Sequence, residues 1–175
     1  MESGTKKEIK LKNGTVIISE AVWERIQSDG CYLAAHYCNE NYVQVMVCKK
    51  EGSKLIFRKI LSRYIMNAEK GTLVDHIDRN PLNNLESNLR MATRSQNQAN
   101  RAKAYWANHQ YKGVNRLNNG RWRSLIKKDG IRYSAGTFDT QEEAARYYDK
   151  LATLLFGEHA ATNESLFNMK KEESA

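Results

Sequence analysis

The segment LVDHIDRNPLNN, residues 73–84, decides which fold and which chemistry can be expected, because it places a carboxylate beside an imidazole, Asp75 and His76. The residues before this pair have the pattern of a strand. Asn80-Pro81 then starts a turn, since proline cannot continue a strand ladder or a helix. Three interpretations of the segment are open: a metal-dependent hydrolytic site, a network of capping and turn residues, and a solvated polar connection.

A helix is predicted after this loop, in LRMATRSQNQANRAKA, residues 89–104. Thr93 and Gln96 have the spacing of a capping box, so the helix is expected to begin near Thr93. Asn97 lies on this helix, and its amide oxygen is a suitable ligand for a hard cation. Asn88, between the loop and the helix, can donate hydrogen bonds that orient a backbone segment or an imidazole.

Hydrolysis of a phosphodiester explains why these side chains would occur together. The attacking water has to lose a proton, and the leaving oxygen has to be stabilised. His76 can take the proton, because an ordinary imidazole is mostly neutral at neutral pH. Asp75 supplies an ionised oxygen for a cation, and adjacent strand residues point to opposite sides, which suits in-line attack. Mg²⁺ held by Asp75 and Asn97 would keep several waters and complete its shell with a DNA phosphate.

The same residues carry a resemblance to a known family. Asp75-His76, Asn88-Leu89-Arg90 and residues 93–101 closely resemble the HNH homing endonucleases of phage genomes, over about residues 55–104. The resemblance implies a ββα-metal catalytic core at residues 67–104: a hairpin that carries Asp-His, followed by a helix that carries the last metal ligand.

The resemblance also implies a role for each residue. His76 is the general base, and Asn88, the second residue of the predicted catalytic pair, supports the loop. Asp75 and Asn97 hold the metal, with Asn97 in a position where other family members have His. Mg²⁺ is the expected metal, and Mn²⁺ is expected to substitute for it. One departure is that Phe57-Arg58-Lys59 stands where relatives often have a His-Arg pair.

The composition points to a polyanionic partner. The chain has 175 residues, 41% of them hydrophobic, which is enough for one ordinary domain or two small ones, and its formal net charge is +8. Between Arg90 and Ser134 there are eleven Lys or Arg residues and a single acid, Asp129, so this stretch carries the whole excess of positive charge. A one-sided stretch of this kind favours nucleic acid, and Arg94 and Arg101 within it are expected to contact DNA.

Other classes of protein are disfavoured. No run of eighteen apolar residues predicts a membrane span, and residues 1–14 lack the apolar stretch of a secretory signal, so the protein is expected in the cytoplasm, that of the host cell if it is phage-encoded. Its cysteines, Cys31, Cys38 and Cys48, are odd in number and lack Cys-x-x-Cys spacing. They are therefore interpreted as buried thiols rather than as disulfides or zinc ligands.

Residues 1–66 are predicted to form an N-terminal β-rich region. Strand patterns occur in EIKLKNGTVIIS, in YVQVMVC and in KLIFRKI, with the turn KKEGS between the last two. Alternation in YVQVMVC places Val43, Val45 and Val47 on one face. KILSRYIM has apolar residues at helical spacing, which predicts a short helix before the central segment.

Residues 105–167 are predicted to form a sheet packed on one helix, and residues 168–175 a tail. Strand patterns in YKGVNRL, GRWRSLIKK and IRYSAGTF are separated by the hairpin pairs Asn119-Gly120 and Asp129-Gly130. Thr140 with Glu143 predicts a capping box for the helix, and Gly157 its end. Its apolar stripe is formed by Ala144, Tyr148, Leu151, Ala152 and Leu155.

The two faces of this sheet are predicted to differ. Trp122, Ser124 and Ile126 would face the helix, together with Ile131, Tyr133 and Ala135 of the last strand. The opposite face would be basic and free to enter the major groove of DNA, where Arg can pair with guanine. It would carry Arg121, Arg123, Lys127, Arg132 and Ser134, with Leu125 among them.

Residues 109–165 resemble the plant ethylene-response-factor (Apetala) type of DNA-binding domain. The resemblance rests on Gly113-Val114, Gly120, Trp122, Gly136-Thr137-Phe138 and Gly157 through Asn163. It implies DNA-facing positions at Lys112, Asn115, Leu117, Asn119, Arg121, Arg123, Lys127, Arg132 and Ser134. Asn115, Leu117, Asn119 and Ser134 replace arginine and tryptophan readers of the plant domains, so the plant target sequence is not expected to transfer.

These observations predict an α+β protein: a ββα-metal nuclease core followed by a three-stranded antiparallel sheet packed on one helix. Its predicted function is that of a metal-dependent homing endonuclease that binds double-stranded DNA and nicks one strand as a monomer. The protein is expected to be a monomer or weak dimer, with no membrane and no small-molecule cofactor as partner. The alternative is a non-catalytic, sequence-specific DNA-binding regulator. A binder of structured RNA fits less well, because a sheet enters a B-form major groove more readily than a narrow A-form one.

Overall fold

The computed structural model describes residues 5–12, 14–39, 42–101 and 111–165, without the side chains of residues 37–39 and 42. It combines small antiparallel sheets with helices, which confirms the predicted α+β class. The chain divides into two compact units, Met1–Ala92 and Thr93–Ala175. The boundary between them falls inside the predicted catalytic core, between its second strand and its helix. The predicted connector at residues 105–110 and the tail at 168–175 lie outside the described residues.

The first unit begins with an antiparallel hairpin of β1, Lys6–Leu11, and β2, Gly14–Ser19. Helix α1, Glu20–Ser28, follows directly. A three-stranded antiparallel sheet is then formed, in the order β3-β4-β5, by Tyr32–Asn39, Tyr42–Glu51 and Lys54–Ile60.

The short helix predicted after β5 is confirmed as α2, Leu61–Ile65. It leads into the hairpin of the predicted core, in which β6, Leu73–His76, pairs with β7, Leu89–Ala92. A 3₁₀ turn at Glu86–Asn88 joins the loop to β7. The strand predicted at the start of the HNH-like segment is therefore present, and it ends at His76.

Helix α1 was not predicted from the sequence, in which the N-terminal β-rich region was assigned strands and one short helix. The Ser19 hydroxyl caps it by accepting a hydrogen bond from the Val22 amide at 3.3 Å. Val22 and Ile26, four residues apart, are buried on its inner face. The same spacing was available in the sequence, but the strand pattern of the preceding residues hid it.

Side chains on both faces of β4 are buried. Val45 and Val47 are buried as expected, yet Met46 and Cys48 on the opposite face are buried as well. The strand is central in its sheet, and both faces are covered. Cys48 is thus a buried free thiol, as predicted, and Cys31 is a partly buried one; the side chain of Cys38 lies outside the described residues.

One apolar core holds the first unit together. It joins β2, α1, β4, α2 and β7 through Val16, Ile18, Val22, Ile26, Val45, Val47, Leu61, Tyr64, Ile65 and Leu89. Leu82 of the loop after β6 packs against this core. The hairpin that carries Asp75 and His76 is therefore anchored to the core at its second strand and at its loop.

The second unit opens with α3, Arg94–Asn100, and the predicted capping box is confirmed. The Thr93 amide donates to Gln96 Oε1 at 2.8 Å, and the Gln96 amide donates to Thr93 Oγ1 at 3.2 Å. The carbonyl of Ala99 accepts from the Ala161 amide at 3.1 Å, so the end of α3 is bonded to the C-terminal part of the same unit.

The predicted sheet and helix of the second unit are also present. Strands β8, Val114–Arg116, β9, Trp122–Lys128, and β10, Ile131–Phe138, form an antiparallel sheet in the order β10-β9-β8. Helix α4, Gln141–Phe156, packs on it, and Thr140 caps α4 by accepting from the Glu143 amide at 3.2 Å. Gly157 ends the helix with a φ of 54°.

The two faces of this sheet differ as predicted, with local exceptions. Ser124 and Ile126 are buried against the helix side, whereas Arg123 and Lys127 are exposed. Ile131 was predicted to face the helix, but it is 59% exposed because it lies at the hairpin end of β10, opposite Lys128. On α4, Ala145 and Phe156 are buried, while the predicted Leu151 and Leu155 are only partly buried.

Among the described residues, no helix combines the length and the apolar character that crossing a membrane requires.

Gly113 offers a test of how β8, β9 and α4 pack. Its φ is +70°, and a Cβ atom there would collide with the Tyr148 ring and lie 2.7 Å from the Leu125 carbonyl oxygen. We expect Gly113→Ala to destabilise the second unit by roughly 2–5 kcal/mol, from backbone strain and overpacking together. Gly120, with φ +84° and no atom within 4 Å of the added Cβ, is the matched control. We expect Gly120→Ala to cost only about 1–2 kcal/mol in urea unfolding. Equal losses in the two variants would contradict this packing.

Candidate active site

The β6–β7 hairpin fixes the carboxylate of the candidate site. Asp75 lies opposite Arg90 in the ladder, and Arg90 donates from Nε and Nη2 to Asp75 Oδ2 at 3.1 and 3.0 Å. The two side chains are only 7% and 11% exposed. A buried carboxylate is stable only with a partner, so Arg90 determines where the Asp75 oxygens lie.

His76, the next residue, is held by a different residue. Its Nε2 lies 3.2 Å from Oδ1 of Asn84. Asn84 Nδ2 donates to the Pro81 carbonyl at 2.9 Å, which turns Oδ1 toward the imidazole. Burial lowers the pKa of His76, against the raising effects of the Asn84 hydrogen bond and of Asp78 and Asp75. The ring is therefore neutral at neutral pH, the state that a general base requires.

Asn88 supports the loop between the two strands. Its Nδ2 donates to Asp78 Oδ1 and to the Asn83 carbonyl, each at 2.8 Å, and its Oδ1 accepts from the Asp78 amide at 3.0 Å. Asn88 is buried, so each of these bonds satisfies a group that has no access to water. The bonds reach the loop backbone and not the imidazole, for which the sequence had also offered Asn88 as a partner.

Further polar side chains shape the same loop. Asp78 accepts from the Asn80 amide at 2.8 Å, and its second oxygen accepts from Asn83 Nδ2 at 2.7 Å. The Leu82 amide donates to Asn80 Oδ1 at 3.0 Å. The capping and turn interpretation of this segment therefore describes its asparagines, and it coexists with the hydrolytic one. A solvated connection is ruled out, since Asn84 and Asn88 are 1% and 8% exposed.

Asn84 is the residue of this site that the sequence reasoning missed. The capping and turn interpretation treats it as one of several turn residues. Nothing in the pair Asn83-Asn84 indicates which of the two would contact the imidazole. The structure separates them by burial and by partner: Asn83 bonds the Asp78 carboxylate, whereas Asn84 bonds the imidazole. Only the tertiary fold shows which amide faces His76.

Asn97, the predicted second metal ligand, lies on α3 in the second unit. It is half-buried, and its backbone N–H donates to the Thr93 carbonyl at 2.9 Å. Its role as a ligand stays a prediction. In the part of the chain that the structure describes, no group of three or more His, Cys, Asp and Glu side chains could hold a metal ion. The predicted pair, the carboxylate of Asp75 and the side-chain amide of Asn97, is not a group of this kind.

Two of the remaining histidines, His36 and His159, make none of these contacts. His36 is exposed on β3. His159 is buried, with Nε2 3.9 Å from Glu158 Oε1. His109 lies outside the described residues. Phe57-Arg58-Lys59 stands where relatives often have a His-Arg pair. Phe57 and Arg58 are both exposed on β5.

The predicted DNA-facing residues of the second unit are mostly exposed. Exposed side chains occur at Arg94, Arg101, Asn115, Asn119, Arg121, Arg123, Lys127, Arg132 and Ser134, whereas Leu117 is half-buried. Arg121 is also bound within the fold, because its Nε lies 2.9 Å from Asp139 Oδ1 and its Nη2 donates to the Thr137 carbonyl at 3.1 Å.

Lys112 has a role that the sequence did not predict. Its ammonium donates to the carbonyls of Ala99 and Arg101, the latter at 2.7 Å, and lies 3.5 Å from the carbonyl of Ala161. These bonds satisfy carbonyls at the end of α3 that have no helical partner. The structure thus uses the Lys112 ammonium inside the second unit, in contrast to the exposed cations of the sheet.

Comparison with known proteins agrees with the HNH resemblance. Residues 67–99, from before β6 to the end of α3, match the family model HNH_3, described as HNH endonuclease. An uncharacterized HNH endonuclease, L560, of Acanthamoeba polyphaga mimivirus is 41% identical over 91 residues, which are 52% of this chain and 46% of that protein. The chain therefore contains a segment similar to an HNH endonuclease domain.

Plant transcription factors match a shorter stretch. The ethylene-responsive transcription factor ERN1 of Medicago truncatula is 46% identical over 57 residues, 31% of this chain and 21% of that protein. The dehydration-responsive element-binding protein 2D of Arabidopsis thaliana is 42% identical over 69 residues, 37% of this chain and 34% of that protein. The chain spans about half the length of the viral relative and less of the plant ones. No solved structure matches.

The Asn88 network predicts a large effect on stability. Asn88→Ala would remove three hydrogen bonds, to the Asp78 amide, to Asp78 Oδ1 and to the Asn83 carbonyl, so we expect a loss of about 2–3 kcal/mol in urea unfolding. The control is Asn80→Ala in the same loop, where the side chain is exposed and we expect about 1 kcal/mol or less. A loss for Asn88→Ala no larger than that of the control would mean that the loop does not depend on this amide.

Proposed function

We propose that this protein is a metal-dependent DNA endonuclease of the HNH type. The observation that carries the proposal is the His76 imidazole, half-buried, with a lowered pKa and bonded to a buried amide, directly after the ion-paired Asp75. Both residues lie in the segment that matches the HNH model. A solvated or purely structural loop has no need for an imidazole kept neutral in this way.

His76 acts as the general base in this proposal. It accepts the proton of the water that attacks phosphorus, because a neutral imidazole carries a lone pair that can take it. Asn88 is a positioning residue that keeps the loop after His76 in one conformation. Arg90 is a positioning residue for Asp75, whose oxygens it holds by two hydrogen bonds.

Asp75 and Asn97 would hold a divalent cation. Carboxylate and amide oxygens are hard ligands, so this donor set fits Mg²⁺, with Mn²⁺ as a substitute. The buried Asp75 carboxylate, fixed by Arg90, is the part of the set whose environment supports the fit. A bound cation would supply charge stabilisation at the phosphate and the leaving oxygen.

The second unit would bind the DNA. Arg123, Lys127 and Arg132 form the exposed basic face of the sheet, opposite the face that α4 covers. Contacts from these cations to phosphates would anchor the protein, and the exposed Asn115 and Asn119 can read base edges. The plant relatives are named as a transcription factor and an element-binding protein, which supports DNA as a partner of this protein.

Finer parts of the function follow from the same proposal. One catalytic site per chain predicts that this protein, as an endonuclease of the homing type, nicks one strand of double-stranded DNA as a monomer. Residues 67–104 would act as the catalytic core and residues 105–167 as the DNA-binding domain. The proposed location is the cytoplasm, that of the host cell if the protein is phage-encoded.

A second candidate is a DNA-binding regulator without catalysis. The observation that favours it is the Asp75–Arg90 pair, since the guanidinium that fixes Asp75 Oδ2 also offsets the negative charge that would attract a cation. The two candidates make opposite predictions for metal-dependent cleavage and the same prediction for DNA binding.

Substitution of His76 separates these candidates. We expect wild-type protein to nick supercoiled plasmid that carries target DNA with Mg²⁺ and not with EDTA. His76→Ala should lower the rate at least about 100-fold while gel-shift affinity stays unchanged, because the base is lost and no basic residue is removed. His36→Ala, at an exposed histidine of β3, is the control and should cut like wild type. Tight binding without cleavage by wild type would favour the regulator.

The salt dependence of DNA binding tests the basic sheet. We expect Arg123→Gln with Lys127→Gln to lower the slope of log affinity against log salt by about 2, because two phosphate contacts are lost. Arg146→Gln with Lys150→Gln removes the same charge from exposed positions of α4 and should leave the slope almost unchanged. Equal changes in the two double variants would mean that the sheet is not the DNA-binding face.

A further inference from the structure

Strand β2 bonds the loop that carries the candidate site. The Ile17 amide donates to the Leu82 carbonyl at 2.9 Å, and the Asn84 amide donates to the Ile17 carbonyl at 2.7 Å. Ile17 also forms a parallel bridge with Asn83. Because β1 pairs with the other edge of β2, residues 82–84 take the place of a further strand on this hairpin.

Side chains strengthen the same contact. Leu82 packs against the core of the first unit and against Gly14, where a Cβ atom would lie only 2.7 Å from Leu82 Cδ1. At the far end of β2, the Ser19 hydroxyl donates to Glu86 Oε1 at 2.8 Å. The loop is therefore attached to β2 on both sides of Asn84, by backbone bonds at Ile17 and by Ser19 after it.

Asn84 connects β2 to the imidazole of His76. Its backbone is fixed by Ile17, its Nδ2 by the Pro81 carbonyl, and its Oδ1 is the atom within hydrogen-bond distance of His76 Nε2. An amide oxygen only accepts, so this bond requires the proton on Nε2, and the neutral ring then has its lone pair on Nδ1. One asparagine thus sets both the orientation and the tautomer of the ring.

We propose that β2 and Asn84 form a positioning device for His76: the N-terminal hairpin holds residues 82–84, and Asn84 orients the imidazole and selects its Nε2-protonated tautomer. The proposal rests on the proposed function for its effect on cleavage, but the orientation of the ring can be measured without it. It gives the N-terminal hairpin a part in the catalytic site that its sequence alone does not indicate.

Substitution of Asn84 tests the device. We expect Asn84→Leu to lower kcat about 10- to 100-fold, with KM for plasmid DNA nearly unchanged, because the base is displaced and the DNA contacts are not. Asn84→Asp keeps an oxygen opposite Nε2 and should recover most of the lost kcat. Ser87→Leu, at an exposed position of the same loop, is the matched control and should behave as wild type.

Ring ¹⁵N spectra of His76 in the full-length protein, at one fixed pH at which the ring is neutral, give a readout that does not need cleavage. Wild type should show one tautomer, protonated at Nε2, and Asn84→Leu should show the averaged signals of a ring that exchanges between tautomers. Unchanged ring signals in Asn84→Leu would overturn the proposal, whether or not the protein cuts DNA. Absence of cleavage by wild type, with the spectra as expected, would overturn the proposed function alone.

Hydrogen exchange covers the case in which Asn84→Leu does not fold. In wild-type protein, we expect the amides of Ile17 and Asn84 to exchange as slowly as the core amides of the first unit, since both are bonded across the contact. Exchange as fast as that of exposed loop amides would show that β2 does not hold the loop, and would overturn the proposal without any substitution.

Discussion

The loop after His76 keeps its conformation because two buried asparagine side chains form hydrogen bonds with it and with the imidazole. An amide that loses water must find partners of its own, and Asn84 and Asn88 find theirs in the loop backbone, in Asp78 and in the imidazole. Removing either residue would leave several groups unsatisfied at once. The apolar core beneath the hairpin contributes hydrophobic stabilisation. The two amides determine which conformation the loop adopts.

Parts of this arrangement could be predicted because they are local. The capping box of Thr93 and Gln96, the short helix before the motif, and the hairpins at Asn119-Gly120 and Asp129-Gly130 depend on neighbours within four residues. Local features of this kind can be predicted from the sequence alone. The role of Asn88 as a loop-supporting residue came from a resemblance, and its hydrogen bonds in the structure are those of such a residue.

Other parts depend on contacts between distant segments and could not be predicted. The Asn84–His76 bond needs the loop to lie on β2, more than sixty residues earlier in the chain. The Asp75–Arg90 pair follows from strand register, which the sequence of either strand alone does not determine. Helix α1 was missed because its apolar spacing is short and strand patterns precede it. Its cap at Ser19 becomes evident only once β2 is known to end there.

Lys112 shows what a count of charges leaves out. Its ammonium lies among carbonyls at the carboxyl end of α3, where the helix dipole is negative and the carbonyls have no partner within the helix. Because this ammonium is bonded to carbonyls of its own protein, it contributes to the stability of the second unit. Fewer cations of the second unit are therefore available to a polyanion than a count of lysines and arginines indicates, and those that remain exposed include Arg123, Lys127 and Arg132 on the strands.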